Sequence, residues 1–198
     1  MSEALIVIDV QVDFCPGGAL AVAGGDEIVA GINARMADFD TVVLTQDWHP
    51  AGHSSFASSH VGKAPFETVE MPYGTQVLWP DHCVQGSAGA AFHPELATDP
   101  AALIIRKGMN PDIDSYSAFF ENDRTTPTGL EGWLRGRGVD RLTMVGLAMD
   151  FCVQYSALDA AKLGFAVEVE RGLSRAIDLD GSLAAALGAM ETGGVALL

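Results

Sequence analysis

No apolar run in this chain approaches the roughly 18 residues needed to cross a bilayer, so no membrane-spanning helix is expected. Basic residues are scarce: 11 Lys and Arg stand against 26 Asp and Glu, for a formal net charge of -15. Such a chain repels polyanions, so neither nucleic acid nor an anionic membrane is an expected partner. The charge says nothing against a small neutral substrate. The Met1-Ser2-Glu3 start carries no basic region and no small-residue cleavage site. A secretory signal is therefore not expected, and the expected location is cytoplasmic. Cysteine is also sparse, with three residues (Cys15, Cys83 and Cys152). An odd count without an export signal argues against structural disulfides and makes a reactive thiol worth seeking. Internal repeats, linkers and low-complexity tracts are missing as well.

What is present suits one globular domain over residues 1–198, with 48% hydrophobic and 19% charged residues. Ala4 to Val10 is a near-continuous apolar run, as expected of a strand buried on both faces of a parallel sheet. Asp26 to Phe39 has helical spacing through Ile28, Val29, Ile32 and Met36. Further strands are expected at Thr41–Leu44, Leu103–Ile105, Leu142–Leu147, Ala166–Val169 and Val195–Leu198. Helices are expected from Cys152 to Leu163, closed by Gly164, and from Ser182 to Met190, with Ser182 as a cap. This alternation implies an α/β fold with a parallel sheet covered on both faces. Residues 48 to 100 break the rhythm. The stretch is rich in Gly, Pro, Ser and His, and its aromatic content marks it as a functional loop insertion.

Ionisable groups gather at strand ends. Asp9 ends the first strand, Asp47 and His49 follow the second, Lys107 ends the third, and Asp150 and Cys152 follow the fourth. In open α/β sheets ligands bind beyond the carboxyl ends of the strands. Cys152 opens a helix, where unpaired amides and the helix dipole favour a thiolate. Lys107 nearby would favour it further. Asp9 is then the acid/base, taking the thiol proton, passing it to a leaving amine and later activating water. The plainer reading of Cys152 is a small buried hydrophobe; Asp9 and Lys107 at matching strand ends weigh against it. Cys15 and Cys83 read as packing residues.

Asp47 and His49, two apart in extended backbone, share a face and can reach one ion. His82 offers a third ligand. A carboxylate with two imidazoles suits one divalent metal, zinc foremost, with iron or manganese as alternatives. Asp47 is equally readable as a capping residue and His82 as a loop histidine. His53 is the favoured extra ligand or ligand support, and His60 and His93 read as solvated. Phe14 and Trp79 are placed to stack on a flat ring, with core packing as the plainer reading of both.

Six blocks resemble the nicotinamidases of the isochorismatase-like cysteine hydrolase superfamily. They are Asp9–Gly18 (DVQVDFCPGG), Thr45–Pro50 (TQDWHP), Trp79–Val84 (WPDHCV), Arg106–Gly108 (RKG), Asp114–Phe119 (DSYSAF) and Gly146–Val153 (GLAMDFCV). The resemblance implies a three-layer α/β/α fold with a six-stranded, mostly parallel sheet. It implies Asp9, Lys107 and Cys152 as the catalytic triad and Asp47, His49 and His82 as metal ligands. Phe14 and Trp79 would sandwich the ring, and Tyr116 would line the pocket. A cis peptide at Leu147–Ala148 would bring the amides of Ala148 and Cys152 together as an oxyanion hole. The implied activity is hydrolysis of nicotinamide to nicotinate and ammonia through a cysteine thioester, with pyrazinamide also accepted. The alternatives are a related amide or ureido hydrolase and an inactive binding protein on the same fold. A homo-oligomer is compatible with all of these. Two departures stand out: Met149 replaces the Thr of many relatives, and Glu170–Arg175 replaces an Asp/Gly-bearing segment.

Overall fold

The first strand, β1 (Ser2–Ile8), is buried from Ala4 onward, and its side chains alternate between two cores. Ala4, Ile6 and Ile8 face one core and Leu5 and Val7 the other, which is why the run reads as continuously apolar. The computed structural model describes residues 2–198. The other sheet strands are β2 (Val42–Asp47), β5 (Leu103–Lys107), β6 (Val139–Leu147), β7 (Ala166–Arg175) and β8 (Ala196–Leu197). They pair in the order β5-β2-β1-β6-β7-β8, and every pairing is parallel.

Helix α1 (Val29–Met36) packs on one face together with the long loop. Helices α2 (Leu130–Gly136), α3 (Gln154–Lys162) and α4 (Ser182–Thr192) cover the other. The chain runs outward from β1 through β2 to β5, then returns to lay β6 against the opposite side of β1. The winding therefore reverses between β1 and β6, and the crevice beyond their carboxyl ends is the favoured ligand position.

Several expectations need correction. β1 stops at Ile8 because Asp9 turns to a φ of 47°. The helix expected over Asp26–Phe39 is limited to Val29–Met36, with turns before it. Helix α2 has no counterpart in the sequence reading, because two glycines in LEGWLRG blur its period. The insertion is not structureless: β3 (Thr68–Met71) and β4 (Gly74–Val77) form an antiparallel hairpin inside it. Ser182 makes no capping bond; its hydroxyl donates to Asp150 instead.

The departure at 170–175 takes the form of a bulge. Met144 pairs with Val169 but Gly146 with Ser174, so Glu170–Leu173 lies outside the ladder. The excursion lays Leu173 against Gly31 of α1, where a Cβ would sit 2.5 Å from a Leu173 methyl. It also lets Glu170 accept from Arg35 at 2.7 Å.

Candidate active site

Beyond the switch point, strand ends bring three groups into contact. Asp9 is buried, and Thr45 Oγ1 donates to its Oδ1 at 2.6 Å. Its Oδ2 lies 2.8 Å from Lys107 Nζ and accepts no directed hydrogen bond among the described residues. Lys107 is buried as well; Nζ donates to the Ser115 carbonyl at 2.9 Å and to Asp47 Oδ1 at 3.0 Å. The same nitrogen lies 3.5 Å from Cys152 Sγ.

Cys152 sits in a π-helical turn, Met149–Val153, between β6 and α3. Ser156 ties that turn down, donating to the Cys152 carbonyl at 2.6 Å while accepting from the Ala118 amide at 2.8 Å. The Leu147–Ala148 peptide is cis, and the Ala148 amide has no acceptor among the described residues. Gly146 just before it has a φ of 118° and presses on β1, where a Cβ would stand 2.2 Å from the Ile8 carbonyl oxygen. Only glycine fits there. Met149 is buried in the same core cluster as Cys152.

Two carboxylates sharing one ammonium leave this cluster short of positive charge. Burial pushes the Asp9 carboxyl above its ordinary range, with Lys107 opposing and Asp47 adding to the rise. Burial alone would lower Lys107, but the Asp47, Asp9 and Cys152 charges outweigh it and hold the ammonium well above its usual range. The Cys152 thiol is also pushed well up by burial; Lys107 opposes, while Asp9 and Asp47 add to the rise. Beside the thiol, the Asp9 carboxylate keeps an oxygen with acceptor capacity to spare.

Asp47, His49 and His82 form a second cluster, and their ligand atoms all lie within 4.8 Å of one another. Each imidazole is turned by its other nitrogen. His49 Nδ1 lies 3.0 Å from the Gly108 carbonyl oxygen, and His82 Nδ1 lies 2.8 Å from that of Pro80. A carbonyl can only accept, so both Nδ1 atoms carry hydrogen and both Nε2 atoms present lone pairs. Those nitrogens face Asp47 Oδ2, at 3.0 Å for His49 and 3.5 Å for His82. Lone pairs opposing a carboxylate require positive charge between them or on the rings. Burial would lower the His49 imidazolium, but Asp47 outweighs it and raises it. The donor set therefore fits a divalent cation. Gly108 has a φ of 67°, and a Cβ there would stand 2.5 Å from His49 Cε1.

Cys152 of the first cluster and Asp47 and His82 of the second line one cavity. Asp47, His82 and Asp114 line it together with Cys152 and Ala148, and Phe14, Trp79, Tyr116, Phe151, Leu20 and Ile177 complete its wall. Phe151 meets Trp79 edge-on at 4.9 Å. Trp79 Nε1 donates to the Tyr116 hydroxyl at 3.1 Å.

The structure brings the triad, metal-ligand and pocket candidates together, and His53 joins them beside His49, with ligand atoms of His49, His53 and Asp114 within 4.8 Å of one another. His53 Nε2 is bonded to the Asn110 carbonyl at 2.8 Å and its Nδ1 to Ser55 Oγ at 2.8 Å. Its ring packs tilted against His49, with centroids 4.4 Å apart. His60 is half-buried, with Nε2 on the Ser54 carbonyl. His93 is also half-buried and accepts from the Glu95 amide. Neither is fully solvated. Asp150 is structural: its carboxylate accepts from the Ile177 and Asp178 amides and from Ser182.

Sequence reasoning missed Phe151, Asp114, Leu20 and Ile177. The first two lie inside blocks already singled out; nothing marks the others. Cys15 and Cys83 are buried free thiols, as expected of packing residues.

Comparison with known proteins follows the same lines. The isochorismatase domain matches residues 3–198. A nicotinamidase of Acinetobacter baylyi is 56% identical over 97% of this chain and 90% of its own length. A nicotinamidase/pyrazinamidase structure from Acinetobacter baumanii superposes with a TM-score of 0.99 at 54% identity, covering 100% of this chain and 95% of the other. The pyrazinamidase of Pyrococcus horikoshii, solved in complex with zinc, does so with a TM-score of 0.80 at 37% identity, covering 100% and 99%. The chain belongs to the isochorismatase domain family, within its nicotinamidase and pyrazinamidase group.

Proposed function

We propose that this chain hydrolyses nicotinamide to nicotinate and ammonia through a thioester on Cys152, with pyrazinamide as a second substrate. The observation that carries the proposal is the contact of Lys107 with both Asp9 and Cys152, where Cys152 lines a cavity walled by aromatic rings. The names of the relatives support the substrate.

Phe14 and Trp79 hold the pyridine ring by its faces, and Tyr116 and Phe151 close the side. Asp47, His49 and His82 would hold a divalent cation, such as the zinc of the Pyrococcus relative, which would supply a Lewis-acidic anchor for the substrate. Asp9 Oδ2 takes the thiol proton as Cys152 Sγ attacks the carboxamide carbon. Lys107 holds both partners in line and offsets the charge on Asp9. The oxyanion is received by the amides of Ala148 and Cys152. Asp9 returns its proton to the nitrogen as the C–N bond breaks, and ammonia leaves. Asp9 then deprotonates a water that attacks the thioester, which frees nicotinate and restores the thiol.

The test is ammonia release from nicotinamide by the wild type and by Cys152→Ala, with ligand binding measured on both. The variant is expected to bind nicotinamide and release no ammonia. Turnover by the variant would overturn the nucleophile. A wild type inactive on nicotinamide but active on ureido compounds would overturn the substrate.

A further inference from the structure

Asp114 is a buried carboxylate that the proposed reaction leaves without a part. It is 2% exposed and borders the cavity beside Asp47 and His82. Its Oδ1 accepts from the Ser115 amide at 2.8 Å, and its Oδ2 accepts from Gln76 Nε2 at 2.8 Å. A carboxylate has about four acceptor sites, so two remain. No Lys or Arg pairs with it among the described residues, and its nearest basic atom is His49 Nε2, 3.9 Å from Oδ1.

That spacing separates Asp114 from a direct ligand. Two ligand atoms on a tetrahedral zinc, each about 2.0–2.2 Å from it, stand about 3.4 Å apart. Asp114 also falls outside the Asp47–His49–His82 group and clusters with His49 and His53 instead. It borders the centre from outside the Asp47–His49–His82 group.

Gln76 fixes it at that distance. Gln76 is buried on β4, and its Nε2 also lies 2.9 Å from the Tyr116 hydroxyl. Its Oε1 accepts from Asn122 Nδ2 and from the Tyr73 hydroxyl, each at 3.2 Å. A side chain held from this many sides does not let Asp114 swing inward.

We propose that Asp114 is a positioning residue of the cation site. It accepts a hydrogen bond from the water that completes the shell of a cation on Asp47, His49 and His82, without touching the cation. This rests on the proposed metal centre. An outer partner of this kind typically sets 10–100-fold in metal affinity.

The test is zinc affinity, measured by chelator competition on wild type, Asp114→Asn, Asp114→Ala and Asp47→Ala. The metal-free proteins are compared by near-ultraviolet circular dichroism, so that a fold defect in one Asp114 variant leaves the other as the probe. The expected result is zinc binding weakened about 10–100-fold by either Asp114 change, with Asp47→Ala losing zinc outright. Affinity within twofold of wild type in a folded Asp114 variant overturns the proposal. A loss as complete as that of Asp47→Ala overturns it too, by making Asp114 a direct ligand. If Asp47→Ala itself keeps wild-type affinity, the metal centre has failed and not merely its outer partner.

Discussion

Replacing Lys107 by methionine removes the only cation inside the cluster while keeping an unbranched stem of similar length. Asp9 and Asp47 would then be buried with no ammonium at 2.8 and 3.0 Å, and the Ser115 carbonyl would lose its donor. Breaking a buried ion pair from one side costs about 3–5 kcal/mol. For a chain of this size each kcal/mol moves Tm by about 2–4 °C, so Lys107→Met should melt roughly 6–20 °C below wild type. A second change checks the cause. Asp9→Asn in the Lys107→Met background removes one stranded charge and should recover about 1–2 kcal/mol. The deficit also carries a pH signature. Burial already raises the Asp9 carboxyl above its ordinary value of 3.8, and losing Lys107 raises it further. A carboxyl raised in the folded state binds its proton more tightly there than in the unfolded chain, so folding gains as pH falls. The deficit relative to wild type should therefore be smaller at pH 5 than at pH 8. Thermal melts of the three proteins at both pH values are the assay. A Lys107→Met protein within about 1 kcal/mol of wild type, or a double variant less stable than the single one, would refute the charge accounting.

Asp47→Ala and His49→Ala should lower metal content and nicotinamide affinity together; metal loss without any change in substrate affinity would contradict the anchoring role. The acid limb of kcat/KM should lie above pH 3.8, because burial raises Asp9 from that value and its base form is the active one. A limb at or below that value in a full pH–rate profile would contradict Asp9 as base. Ser156→Ala leaves the buried Ala118 amide without its acceptor and should cost about 1–3 kcal/mol in urea unfolding; no measurable change would mean the turn holds itself.

The sheet was legible because β1, β2 and β6 are buried on both faces and so read as apolar runs. Clustering of ionisable groups at strand ends identified Asp9, Asp47, Lys107 and Cys152 before any coordinates. Two kinds of feature stayed hidden. Helix α2 and the β3–β4 hairpin are short, and the hairpin is largely exposed, so neither writes a strong period into the sequence. Asp114 and Gln76 lie far apart in the chain and gain meaning only through contact with each other. Helix-end electrostatics around Cys152 are visible in sequence, whereas its burial beside two carboxylates is visible only in three dimensions.

The central claim is that the thiol of Cys152, served by Asp9 and Lys107, carries the acyl group. Acid-quenching the wild type during turnover of nicotinamide and mapping its cysteine peptides by mass spectrometry tests this directly. The account predicts one nicotinoyl group, on the peptide containing Cys152, with Cys15 and Cys83 unmodified. A nicotinoyl group on either of those thiols, or an active enzyme whose acyl group can be trapped on no cysteine under any quench, would contradict it.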